Sequence, residues 1–182
     1  MTEGADIVDP FESAQQRVAL FVDTQNLFFA ARDLRGGVVD YGRLLDVAAR
    51  GRRMSHATAY VVEREGDGST YGFVAKLTAL GFRVRRLKVR VRISEDDRPV
   101  LEGDWDLGIA VDVFRTLGSV DVVALATGDG DFTPVARLAQ ERGARVEILA
   151  FRDFASQELQ DACDRFIDLA DVDGIFLPPR QA

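Results

Sequence analysis

Apolar and polar positions fall into blocks along this chain, and the period of the blocks changes repeatedly. "RVALFVD" is a short apolar run with few polar interruptions, the pattern of a buried strand. "LFFAARDL" then has helical spacing and stops at Gly36-Gly37. "YGRLLDVAARG" predicts a second helix closed by Gly51, and "ATAYVVE" a strand. "TYGFVAKLTALG" predicts a helix with Gly81 just past its end. "FRVRRLKVRVRI" is strand-like, and "SEDDRP" a turn. "DWDLGIAVDVFRTLG" predicts a helix, "DVVALAT" a buried strand and "GDGD" a tight loop. "FTPVARLAQERG" and "SQELQDACD" read as helices, "ARVEILAF" and "RFIDL" as strands.

Strands that alternate with helices of this length imply right-handed crossovers and a mostly parallel sheet with helices on both faces. The expected fold class is therefore a three-layer, Rossmann-like α/β/α arrangement. Residues 1–16 read as a loose polar arm, 17–170 as the folded domain and 171–182 as a tail. In such sheets, sites form beyond the carboxyl ends of the strands, where strand order reverses. Asp23 ends the first strand, and Asp129 follows "VVALAT" closely. If those strands are neighbours, both carboxylates meet in one crevice.

Composition narrows the chemistry. The 182 residues carry a formal charge of −7, so nucleic acid binding needs a local basic patch. With one cysteine (Cys163) and one histidine (His56), neither an internal disulfide nor a Cys/His zinc site can be built. A Ser-His-Asp triad would have to use His56, and no Gly-x-Ser-x-Gly elbow accompanies it. Any metal ligands must be oxygens. There is no signal-like opening and no apolar run of membrane-spanning length, which predicts a cytoplasmic protein without a membrane partner. Self-association as a homodimer stays open.

The acids supply such oxygens. In "ATGDGDF", Gly128 and Gly130 allow a tight turn and close approach to a ligand, while Asp129 and Asp131 sit at a strand-to-helix junction. Asp131 stands where a helix N-cap belongs, so capping and a site role both fit it. Asp129 has less structural reason to be there. In the predicted helix that precedes this strand, Leu107, Ala110, Val113, Phe114 and Leu117 form an apolar face at 100° per residue. Asp106 falls at its edge, and Asp112 on the polar side. Asn26, one turn after Asp23, can bond Asp23 or a phosphate, or be an ordinary first-turn polar residue. Asp23, Asp106, Asp129 and Asp131 crowded together would repel unless a cation neutralised them. A hard, oxygen-seeking cation such as Mg²⁺ suits them.

"VALFVDTQNLFFAAR", "WDLGIAVDVF", "ATGDGDFTPVARLAQERGARVEILAF" and "ASQELQDACDRFIDL" resemble the NYN domain family, in its LabA-like bacterial branch. That family belongs to the PIN-like nuclease superfamily. The resemblance runs from Arg17 to Leu169. It implies a PIN-like fold and Mg²⁺- or Mn²⁺-dependent endonucleolytic cleavage of RNA. By the same resemblance Asp23, Asp106 and Asp129 hold the metal, Asp131 ligates it or orients a water, and Asn26 positions the phosphate. Asp112 and Ser156 match recurrent positions, although an N-cap suffices to explain Ser156. The family often has Lys-Gly before the acid matched by Asp106; here "EGDWD" brings Glu102 and Asp104 instead. "DTQN" replaces the common Asp-Gly-x-Asn.

The basic cluster lies in "FRVRRLKVRVRI". On a strand, Lys88, Arg90 and Arg92 share a face with Arg86, opposite Leu87, Val89, Val91 and Ile93. The stripe can guide single-stranded RNA, or it can protect a sheet edge with charge. The competing function is an RNA-binding or regulatory domain with little or no catalysis, which the acidic "EGDWD" favours. A Toprim-like site wants a Glu after the first strand, and a haloacid dehalogenase-type phosphatase wants Asp-x-Asp there. "DTQN" supplies neither.

Overall fold

The computed structural model describes residues 13–64, 68–89, 91–93, 99–101 and 104–178. Arg90, Glu102, the first twelve residues of the expected arm and the last four of the expected tail lie outside them. The elements run β1 (Arg17–Asp23), α1 (Thr24–Arg35), α2 (Tyr41–Ala49), β2 (Arg53–Arg64), α3 (Tyr71–Ala79) and β3 (Arg83–Val89). They continue with β4 (Val91–Ile93), β5 (Pro99–Leu101), α4 (Asp106–Thr116), β6 (Val122–Ala126) and α5 (Thr133–Glu141). The last are β7 (Arg145–Ala150), α6 (Gln157–Ala162) and β8 (Arg165–Asp168).

Six strands form one parallel sheet in the order β3-β2-β1-β6-β7-β8. The interior of β1 and all of β6 are buried, as unbroken apolar runs covered on both faces should be. Alternate residues of β1 point to opposite layers. Val18, Leu20 and Val22 pack with Leu27, Leu44 and Leu77 from α1, α2 and α3. Ala19 and Phe21 belong to the other layer, with Ile109, Ala136 and Leu159 from α4, α5 and α6. The result is the expected α/β/α sandwich, with its strand order reversing between β1 and β6.

Polar groups reinforce these layers. Gly36 ends α1 with φ of 61° and donates to Arg32 O at 2.7 Å, a left-handed stop that favours glycine. Arg52 and Glu147 form a fully buried, two-pronged ion pair at 2.9 and 2.7 Å. The segment after residue 170, expected as a tail, packs on the domain as far as it is described. Ile175 is buried and accepts from Asp40 N at 2.7 Å, and Leu177 N donates to Val38 O at 2.8 Å.

Two expectations about faces need correction. α4 is rotated by roughly one residue, about 100°, from the predicted face. Ile109, Val113 and Thr116 turn inward, while Leu107 is 78% and Phe114 52% exposed. Trp105 helps to fix that rotation: its indole N–H donates to Val61 O at 3.1 Å and its ring meets Tyr60 edge-on. Asp112 is consequently not a solvated acid. It accepts from Tyr60 Oη at 2.8 Å and pairs with Arg85 at 2.7 Å. The basic segment is also not one strand. β3 sits in the main sheet, while β4 pairs antiparallel with β5.

Candidate metal centre

Val22 of β1 pairs with Ala126 of β6, so Asp23 and the loop at 127–131 leave the sheet side by side. This is the reversal point, where crevices form in open α/β sheets.

Asp23 does two things there. Its Oδ1 accepts the N–H groups of Gln25 (3.1 Å) and Asn26 (3.0 Å), capping α1. Burial nevertheless pushes its carboxyl pKa upward, against the pull of those two N–H groups. The charges of Asp129 and Asp104 push the same way. Capping and presentation at the crevice are thus compatible.

Asn26 braces the opposite wall. Its Oδ1 accepts Gly128 N–H at 2.9 Å, tying the first turn of α1 to the loop after β6. Its side chain neither bonds the Asp23 carboxylate nor is left wholly available to a phosphate.

Within that loop the capping falls to Asp129, and the alternative left open for Asp131 resolves away from a cap. Asp129 is the cap: its Oδ1 accepts Asp131 N–H at 3.0 Å, while its own N–H donates to Thr127 Oγ1 at 3.2 Å. Asp131 is exposed in the short 3₁₀ turn that leads into α5. The glycines answer to protein packing. A Cβ on Gly128 would lie 2.9 Å from both Ala155 Cα and Phe154 O, and one on Gly130 would lie 2.8 Å from Ser156 Oγ. Ser156 holds the N-cap position of α6 without a side-chain capping bond. Its N–H donates to Gly128 O at 2.9 Å, closing the floor of the loop.

Across the crevice, α4 begins with half-buried Asp106, whose N–H donates to Asp104 Oδ1 at 3.3 Å. Asp106, Asp129 and Asp131 each bring a carboxylate oxygen to a common place, all within 4.8 Å of one another. Burial raises the Asp106 pKa to about 6, with Asp104, Asp129, Asp23 and Asp131 adding repulsion in that order. No Lys or Arg among the described residues pairs with any of these five acids. Hard oxygen donors, crowded and lacking a counter-charge, fit a divalent cation. The compact group thus contains Asp131, with Asp23 close enough to be felt electrostatically.

The basic residues of β3 lie two strands from Asp23, with Tyr60 in register with both Asp23 and Arg85. Arg85 and Arg86 are engaged by Asp112 and Glu63. Lys88 is exposed on β3, in register with Glu63 of β2. Arg92 belongs to β4. Sequence reasoning missed Tyr60, Trp105 and Arg85, which set the seating of α4; nothing local in the sequence marks them. No described helix is long and apolar enough to cross a membrane.

Known proteins resemble this chain. A protein of unknown function from Vibrio parahaemolyticus superposes with a TM-score of 0.79 at 28% identity, covering 91% of this chain and 99% of its own. The low amplitude and bright protein LabA of Synechococcus elongatus is 30% identical over 159 residues, 86% of this chain and 85% of that protein. An uncharacterized protein of Methanocaldococcus jannaschii is 34% identical over 71 residues, 38% of this chain and 30% of its own. The NYN domain profile matches residues 17–170. With that match over most of its length, the PIN-like fold and the acidic cluster at the strand reversal, the chain belongs to the NYN domain family of the PIN-like nuclease superfamily.

Proposed function

We propose that this chain is a metal-dependent ribonuclease that hydrolyses internal phosphodiester bonds of single-stranded RNA. The observation that carries the reading is the convergence of Asp106, Asp129 and Asp131 within 4.8 Å, without a cationic partner, where the strand order reverses. Asp106 and Asp129 hold the ion, with Asp23 beside them and Asp131 as ligand or as the group that orients water. A bound Mg²⁺ or Mn²⁺ supplies charge neutralisation at the phosphate and a more acidic water. The chain's own part is geometric. Asn26 fixes the Gly128 peptide, and Asp129, through its bond to Asp131 N–H, sets the turn that presents both acids. Water attacks phosphorus in line with the leaving oxygen, so no covalent enzyme intermediate is required. Exposed Lys88, with Arg90 and Arg92, attracts the RNA backbone.

The test is cleavage of end-labelled single-stranded RNA in Mg²⁺ or Mn²⁺, against a chelator control. Asp129→Asn keeps the loop's capping oxygen but loses the charge, and is expected to reduce cleavage to background. Cleavage that survives both chelator and variant refutes the reading. A second reading has its own observation: Asp104, whose carboxylate accepts Asp106 N–H, adds negative charge beside the cluster. RNA retained but never cut, with any divalent ion, favours a binding domain without catalysis.

A further inference from the structure

The face of the sheet that carries α4 has a second concave site. A cavity of about 410 Å³ lies between the later turns of α4 and the strands β1, β2 and β3. That volume falls within the range of small-molecule sites, roughly 300–1,000 Å³. Strand register builds it: Phe21 pairs with Thr58, and Thr58 with Arg83, so the three side chains stand in a row across the sheet. Arg85, one step along, and Asp112 and Arg115 from α4 complete the wall.

The charge of this wall is opposite to that of the chain. Three guanidiniums face one carboxylate. Asp112 is already committed, to Arg85 at 2.7 Å and to Tyr60 Oη at 2.8 Å, with Arg115 only at 3.8 Å. Arg83 makes no ion pair among the described residues. With Arg115 sharing Asp112 at longer range, the wall keeps an excess of two positive charges in a chain of net charge −7.

The uncharged groups point to a ligand as well. Thr58 is 5% exposed and lines the cavity, yet its hydroxyl makes no hydrogen bond among the described residues. Its oxygen keeps contact with solvent, so it is open to a ligand. His56, also lining the cavity, makes no hydrogen bond among the described residues, and its ring stands edge-on to Phe21 at 5.6 Å. Phe21 supplies an apolar floor. A ligand that satisfies this wall carries two negative charges on one small group, and an uncharged body able to bond Thr58 or His56. Guanidiniums recognise phosphate oxygens with charge-assisted hydrogen bonds.

We propose that this cavity binds a small phosphate monoester of nucleotide size, at a site separate from the acidic cluster. The probe is AMP, titrated calorimetrically into the full chain in EDTA, so that no ion at the acids recruits phosphate. Adenosine is the uncharged control. AMP is expected to bind saturably at one site per chain, and adenosine at least about tenfold more weakly. Arg83→Ser and Arg115→Ser are each expected to weaken AMP about tenfold, the size of one lost charge-assisted bond. Thr58→Val, nearly isosteric, should weaken it less. Asp129→Asn should leave AMP affinity unchanged, which keeps this site distinct from the proposed catalytic one. Far-ultraviolet circular dichroism of each variant checks that it folds. The proposal is overturned if AMP does not bind, if adenosine binds as well as AMP, or if the arginine variants bind AMP like wild type. It is equally overturned if short single-stranded RNA binds through Arg83 and Arg115 while AMP does not, since the wall then serves a polymer.

Discussion

Replacing Asp106 by Asn should stabilise the metal-free protein at neutral pH. Asp106 titrates near about 6 in the folded chain, against an ordinary value of 3.8. A carboxyl whose pKa is raised by folding favours the folded state while it is protonated. Its contribution is therefore fully present below about pH 4 and is lost as pH rises through about 6. The gap between the two values corresponds to about 3 kcal/mol. Asp106 is only partly buried, and solvent screening brings the expected cost nearer 1 kcal/mol. The Asp106 side chain accepts no hydrogen bond from the described residues, so Asn sacrifices none there. For a chain of this size, about 1 kcal/mol is a melting shift of about 2–4 °C. The assay is a thermal melt of both proteins in chelator at pH 7.5 and at pH 4. Asp106→Asn should melt higher at pH 7.5 and together with wild type at pH 4. Adding Mg²⁺ should then raise wild type more than the variant, because only wild type keeps the full ligand set. A variant that melts lower at pH 7.5 in chelator, or whose advantage persists at pH 4, refutes the charge-crowding argument.

The same structure yields further expectations. Glu147→Gln removes the buried carboxylate that pairs with Arg52 and should cost about 3–5 kcal/mol by urea denaturation. Gly128→Ala should cost about 1–3 kcal/mol, because the new Cβ meets backbone atoms of Phe154 and Ala155 at 2.9 Å and these cannot swing away; an unchanged melt would mean that the loop floor yields easily. Asp23→Ala removes the α1 cap and should lose about 0.5–2 kcal/mol. Asp23→Asn keeps an oxygen for that cap, so it should melt like wild type or higher in chelator while losing RNA cleavage.

What the sequence made legible follows from how local each signal is. Central strands buried on both faces announce themselves as apolar runs, and β1 and β6 were readable for that reason. Their adjacency was not readable, because pairing is a long-range property. It depends on the crossover that carries the chain from β1 through seven intervening elements before α4 and back to β6. The facing of α4 was misread because Leu107 and Phe114 are large apolar residues that stay exposed. Its true orientation depends on Trp105 reaching Val61 and Asp112 reaching Tyr60, contacts separated by some fifty positions in the chain. The glycines of the acid loop were assigned to ligand approach, whereas their neighbours are Phe154, Ala155 and Ser156, which no local pattern reveals.

The remaining question is why these acids, and not the chain's many others, should be the functional ones. Asp23 and Asp129 are both N-caps, and an N-cap alone implies no chemistry. The comparison that separates them is with Asp168, which also ends a parallel strand and also caps the turn that follows. Asp168 has a cation: Arg152 lies 3.2 Å away. Asp121 has Arg17, Asp112 has Arg85, Glu63 has Arg86 and Glu147 has Arg52. Arginine thus attends carboxylates in several parts of the fold. Where Asp23, Asp104, Asp106, Asp129 and Asp131 gather, no lysine or arginine among the described residues attends them. Crowding acids without such compensation raises the energy of the folded chain. The arrangement becomes favourable once a divalent ion is counted among its partners. An arginine placed there, for example by Ser156→Arg beside Gly130, should then mimic the ion: it should raise the melting temperature in chelator and depress metal affinity. If it does neither, charge crowding is not what defines this site.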